Sequence, residues 1–388
     1  MSRPISDTPD DRRDDDISRR RALQLLAASI ALPVVVRPLL AQGGGARGLA
    51  PRDTTPLVMP FEATGWKTVW LDHLDYQCVD YRKAAAFYAT LMGWKVRSDD
   101  GKQCVLDIGE NSGGIIIRGG LAAPPPAAIT DAGLGVSRPP VQAVFDGFAW
   151  GIAPWDTDKV KAELEKRGLN PVADHAGSDY RSFRIKDPDG FNLAITNGTR
   201  ALRRKTPATG KLPAPAPFEP TGWNTLYLDH ISFEVPDYRR SAAFYQALLG
   251  WEMRPGGGGQ VTAQIGSVAG AIIRGNAAVR AASAGRGGRG GGSGDSTGVP
   301  RPTAATASTT PPRADGRSSA AIGHISFGIE NWNTERVREE LKKRDVVYVN
   351  RDGQREPRPD MTGTLESFHV PDAMGWDLQI GNKIAPGR

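Results

Sequence analysis

From Leu71 to Val79 the chain alternates between two faces, as a strand does, with His73, Asp75 and Gln77 on one and Leu74, Tyr76 and Cys78 on the other. Asp80 then caps a helical stripe of Ala84, Phe87, Tyr88 and Leu91, and Gly93 stands where a left-handed residue ends such a helix. Three short strands are predicted next, near 94–98, 102–108 and 113–118. The same order recurs downstream, with Asp237 as cap, Phe244, Tyr245 and Leu248 as stripe and Gly250 as stop. Two weaker copies of this βαβββ pattern follow the strong ones. Residues 147–152 precede a helix at Thr157–Arg167, and residues 324–329 precede one at Thr334–Arg344.

The strong copies are a duplication. Gly65–Trp94 and Gly222–Trp251 align at a constant offset of 157, with 16 of 30 positions identical. The weaker helices align as TDKVKAEL on TERVREEL at an offset of 177. The expectation is an α+β chain of four βαβββ modules paired into two domains, at 66–198 and 222–383. Residues 199–221 read as a stiff Pro/Ala linker, and 281–319 as a disordered Gly/Arg/Ser-rich insert inside the second domain.

Charge changes the picture little once it is located. The net charge is +6, but residues 1–41 hold seven Arg and six acids, and 280–317 hold six Arg against two Asp. The modules themselves are close to neutral, so no nucleic-acid groove is expected. Cys78 and Cys104 fall on strands that are not neighbours, which favours two packed thiols over a disulfide.

Ser18-Arg19-Arg20-Arg21 opens an apolar run from Ala22 to Val36, and Leu39-Leu40-Ala41 offers a cleavage point. The run is shorter than the roughly 20 residues a span requires. Residues 1–41 resemble a twin-arginine export signal. The resemblance implies a periplasmic or secreted protein with no stable membrane insertion after cleavage.

Leu71-Asp72-His73, Asp80-Tyr81-Arg82 and the Phe-Tyr-x-x-Leu-x-Gly-Trp run, all repeated in the second strong module, resemble the vicinal oxygen chelate superfamily. That superfamily includes glyoxalases, bleomycin-resistance proteins and extradiol dioxygenases. The resemblance implies that two modules pair into a half-barrel whose concave face holds a small-molecule ligand or a metal. Ligands would come from the first and fourth strand of each module. In the first domain His73 stands alone, because Gly147 and Ala194 occupy the matching places, and the site is expected to be degenerate. In the second, His230, His324 and Gln379 take ligand positions, with Gln379 where dioxygenases carry Glu. A divalent metal is implied, Fe(II) or Mn(II) in preference to Zn(II).

His369, ten residues before Gln379, is the candidate acid–base residue. Glu234 and Asp377 share faces with His230 and Gln379 and are candidate substrate contacts. Paired His230 and His324 favour a metal-dependent, dioxygenase-like enzyme acting on vicinal oxygens. The missing Glu favours a non-catalytic binding module of the bleomycin-resistance type. Glyoxalase-like isomerisation fits an exported protein less well, since its thiol cosubstrate is cytoplasmic.

Overall fold

A computed structural model describes residues 52–123, 129–131, 136–138, 140–175, 179–276, 320–350, 352–362 and 364–383. The twin-arginine run and the 281–319 insert lie outside the described residues. The first module consists of β1 (Lys67–Cys78), α1 (Tyr81–Met92), β2 (Lys95–Asp99), β3 (Gln103–Asp107) and β4 (Gly114–Arg118). Two short strands, β5 (Ile129–Asp131) and β6 (Val136–Arg138), precede the second module. That module comprises β7 (Ala143–Ala153), α2 (Thr157–Lys166), β8 (Val172–Ala173), β9 (Ser182–Lys186) and β10 (Asn192–Thr196). A one-turn helix, α3 (Arg200–Arg204), leads to β11 (Thr225–Val235), α4 (Tyr238–Leu249), β12 (Glu252–Pro255), β13 (Gln260–Ile265) and β14 (Ala269–Gly275). The fourth module holds β15 (Ala321–Ile329), α5 (Thr334–Lys343), β16 (Tyr348–Asn350), β17 (Arg355–Glu356), β18 (Arg358–Thr362), β19 (Leu365–Pro371) and β20 (Asp377–Gly381).

The expected caps form. Asp80 accepts from the Lys83 amide and Asp237 from the Arg239 and Arg240 amides, while Gly93 and Gly250 end their helices at φ 70° and 66°. Modules pair edge to edge through their first strands. One eight-stranded sheet runs β2-β3-β4-β1-β7-β10-β9-β8 and the other β12-β13-β14-β11-β15-β20-β19-β18. In each, the central strand is parallel to its own module's last strand and antiparallel to the next module's first. This is the expected α+β architecture, with two paired half-barrels. Strands β16 and β17 lie outside the second sheet, in a four-stranded sheet of order β17-β16-β6-β5. Cys78 and Cys104 are buried free thiols, separated by β4.

Each sheet turns one face to a concavity and the other to helices and to the opposite half. The two halves share one hydrophobic cluster, within a single compact unit from Leu49 to Arg388. Their contacts are reciprocal. The Trp94 indole N–H donates to Thr225 Oγ1 and that of Trp251 to Thr68 Oγ1. Tyr76 and Tyr88 donate to Asp372, while Tyr245 donates to Asp187. Trp150 meets Trp251 edge-on at 5.5 Å, and Trp94 meets Phe327 at 5.1 Å.

The 199–221 segment is more than a connector. Arg203 of α3 and Arg97 of β2 both grip Asp107, and the Gly210 amide donates to the Val96 carbonyl. The Pro and Ala content hid this docking, because the anchoring side chains come from the Arg-rich turn just before it. No helix among the described residues is long and apolar enough to cross a membrane.

Candidate metal centre of the second half

The register of β11, β15, β19 and β20 brings the chemistry together. His230 lies opposite Ser326 and Ser232 opposite His324 across the β11–β15 pair. Ser326 is level with Gln379, and Gln379 with His369. Side chains paired across strands share a face, so His230, His324, Gln379 and His369 all project into one concavity. His230 Nε2 and His324 Nε2 are 3.0 Å apart. The His324 ring is 5.1 Å from His230 and 4.8 Å from His369, centroid to centroid.

A residue outside the expected set completes the arrangement. Asp229 is the extra residue of a β-bulge, because the β11–β15 register slips between Leu228 and His230. Strict alternation would send neighbouring side chains to opposite faces. The bulge instead sets the Asp229 carboxylate 2.8 Å from His230 Nδ1, leaving Nε2 to face the concavity. Lys383 Nζ reaches the other oxygen of Asp229 at 2.7 Å. Burial works against the charged carboxylate, but His230 and Lys383 outweigh it and hold its pKa below the usual range. The available sequence signal was the Leu-Asp-His triplet at both strong modules. The first half carries the same bulge, with Asp72 2.7 Å from His73 Nδ1.

His369 Nδ1 sits 3.1 Å from both oxygens of Asp377, which also accepts from the Tyr348 hydroxyl at 2.9 Å. Burial opposes the charged His369 ring, yet Asp360 and Asp377 prevail and raise its pKa. His324 behaves oppositely. Burial, then His230, His369, Arg274 and Arg358, push its pKa well below the ordinary value and keep the ring neutral. One ligand atom each from His324, His369 and Asp377 fits within 4.8 Å.

Gln379 is buried at 1% exposure. Its amide N–H donates to Ser367 Oγ at 2.8 Å, and its Oε1 has no hydrogen-bond partner among the described residues. Ser232 and Ser326 hydroxyls are buried on the same face, without partners among the described residues. Glu234 lies four residues beyond His230, level with Arg274 and half-buried, at the far end of the face from His369.

The equivalent first-half positions follow the expected register. Gly147 pairs with Asp75 as His324 pairs with Ser232, and Ala194 pairs with Ala149 as Gln379 pairs with Ser326. A Cβ at Gly147 would come within 2.2 Å of the Asn192 carbonyl oxygen, so the backbone leaves no room for a histidine there.

Residues 70–195 match the profile of the Glyoxalase/Bleomycin resistance protein/Dioxygenase superfamily. No curated protein sequence matches the chain. Among solved structures, a variant of homoprotocatechuate 2,3-dioxygenase from Brevibacterium fuscum shares 15% identity over 86% of this chain and 76% of that one, at TM-score 0.50. The homoprotocatechuate 2,3-dioxygenase of Arthrobacter globiformis shares 15% identity over 86% of each chain, at TM-score 0.49. A Mn(II)-bound glyoxalase from Novosphingobium aromaticivorans shares 12% over 81% and 82%, at 0.47. At such identities the first of these likenesses speaks for fold alone. Residues 70–195 are thus similar to the Glyoxalase/Bleomycin resistance protein/Dioxygenase superfamily, and the second half repeats the strand order of the first.

Proposed function

We propose that the second half holds a divalent first-row metal on His230, His324 and Gln379, and that this centre acts on a small molecule with vicinal oxygens in the manner of extradiol dioxygenases. The observation that carries this reading is the pair of Nε2 atoms 3.0 Å apart beside a buried, partnerless Gln379 Oε1. Two donors about 2.1 Å from one ion at adjacent positions stand roughly 3 Å apart. The donor set fits Fe(II) or Mn(II), since imidazole and a hard amide oxygen leave coordination positions open. The chemistry that such an ion supplies is chelation and polarisation of two adjacent substrate oxygens. Asp229 fixes the His230 ring so that Nε2 faces the centre. Asp377 holds His369 by Nδ1, which suits it to store or pass a proton at Nε2. The twin-arginine leader would deliver the folded, loaded protein to the periplasm.

One observation favours the binding-module reading. An N–H of one imidazole can donate to the other across the same 3.0 Å, and the Gln379 amide is already committed to Ser367. Metal analysis after loading with Fe(II), Mn(II) or Zn(II) separates the two. About one ion per chain is expected, lost in His230→Ala and His324→Ala and kept in His73→Ala. Oxygen uptake with a diphenol bearing adjacent hydroxyls reads the activity. No ion with any of the three metals would leave the binding module as the better account.

A further inference from the structure

A feature that the metal reading leaves unused is in the other half. A cleft of about 610 Å³ opens over the Asp72–His73 pair, within the usual size range of small-molecule sites. Its floor includes Ile116 of β4, and its roof is α3 of the inter-half segment, which contributes Leu202 and Arg203. Neither residue is explained by a connecting role alone.

Most charges around it are paired. Lys205 is paired with Asp179 and Arg184 with Asp174 at the mouth. His73 faces Asp72, and Asp75 is held by Arg118. Arg97 and Arg203 share the single carboxylate of Asp107 on one wall, and the Asp72 carboxylate faces Arg203 across the cleft. Arg97 spends its remaining donors on the carbonyls of Thr206 and Arg203. Arg203 uses Nε and Nη2 on Asp107 and has no hydrogen bond from Nη1 among the described residues, although its side chain is only 16% exposed. Its charge is near enough to act on both Asp72 and His73 across the cleft. A half-buried guanidinium with spare N–H groups beside an apolar floor suits an anionic head on an apolar body.

We propose that this cleft is a metal-independent binding site for a small organic carboxylate, its head against Arg203 and its body between Ile116 and Leu202. The site is separate from the second-half centre and does not depend on that centre's chemistry. It also gives the inter-half segment a role, because the residue that reads the anion belongs to the segment that joins the halves.

The test is titration of the full chain by isothermal calorimetry with benzoate, benzamide and benzylamine, with a chelator present throughout. Saturable benzoate binding is expected, with benzamide and benzylamine each at least about 10-fold weaker. Arg203→Gln should weaken benzoate by about 10-fold or more. Because Arg203 also anchors α3, Ile116→Glu provides a second reading, placing a negative charge on the floor without touching the roof. It should likewise weaken benzoate binding by about 10-fold or more while the unfolding midpoint of the free protein stays near that of the parent. The proposal is overturned if benzoate fails to bind up to about 10 mM, if benzamide binds as tightly, or if both variants bind benzoate unchanged.

Discussion

At the scale of single residues, Gln379 would decide the character of the proposed second-half metal centre. A carboxylate would place a full charge beside a bound ion where water is largely excluded, whereas the amide offers only a dipole. Gln379→Glu should therefore tighten Mn(II) binding by at least about 10-fold, as read by equilibrium titration. A second residue-scale effect belongs to Asp187. Burial raises its pKa from 3.8 to about 6, although Tyr245 and the amides of Phe191 and Asp189 donate to it. The native state then holds this proton more tightly than the unfolded chain. The contribution is full below about pH 4 and is lost as pH rises through 6. Asp187→Asn keeps the acceptor for the two amides and cannot ionise. Between pH 4 and 7 its stability should fall less than that of the parent, by a difference of no more than roughly 3 kcal/mol. Urea unfolding across that range checks both sign and size, and parallel curves would refute the assignment.

At the scale of elements, the helix ends do more than stop helices. Gly93 closes α1 in the left-handed region, and a Cβ there would lie 2.1 Å from the Trp223 carbonyl oxygen of the other half. Gly250 stands in the same relation to Trp66, at 2.3 Å. Gly93→Ala therefore combines backbone strain with a clash against main chain, and should cost about 2–4 kcal/mol in chemical denaturation. A loss below 1 kcal/mol would mean that the halves can separate locally at little cost. The repeated bulges at Asp72 and Asp229 are the other element-scale device, since each converts an adjacent Asp–His pair into a hydrogen-bonded one.

At the scale of the whole molecule, the reciprocal ties make the halves interdependent. Trp94 and Trp251 each reach a threonine of the opposite half, and Asp187 and Asp372 each accept tyrosine hydroxyls across the same boundary. One shared core predicts a single calorimetric transition for the full chain, with matching calorimetric and van't Hoff enthalpies. Two resolved transitions would show that the halves fold separately. The proposed export would be a property of the whole chain too. Replacing Arg19 and Arg20 with Lys should leave the protein uncleaved in the cytoplasm, and unchanged periplasmic recovery would point to another route.

Four modules, their helix caps and stops, the pairing into two sheets and the convergence of His230, His324 and Gln379 on one face were legible in the sequence. Each is written in local signals: period-2 and period-3.6 patterning, an Asp at the cap, a Gly at the stop, and a duplicated segment at fixed offset. The neighbourhood of His230 and His324 could be inferred because strand register is locked by hydrophobic alternation. The tertiary structure alone decided the rest. Asp229 joins the centre only because a bulge breaks the alternation, and a bulge leaves no composition signature. The fused core and the docking of α3 depend on side chains that meet across 58 and 96 residues of chain, Tyr245 on Asp187 and Arg203 on Asp107. Arg203 and Tyr245 look, in sequence, like a solvated charge and a helix-stripe aromatic; what they bond was fixed by which surfaces the fold brought together.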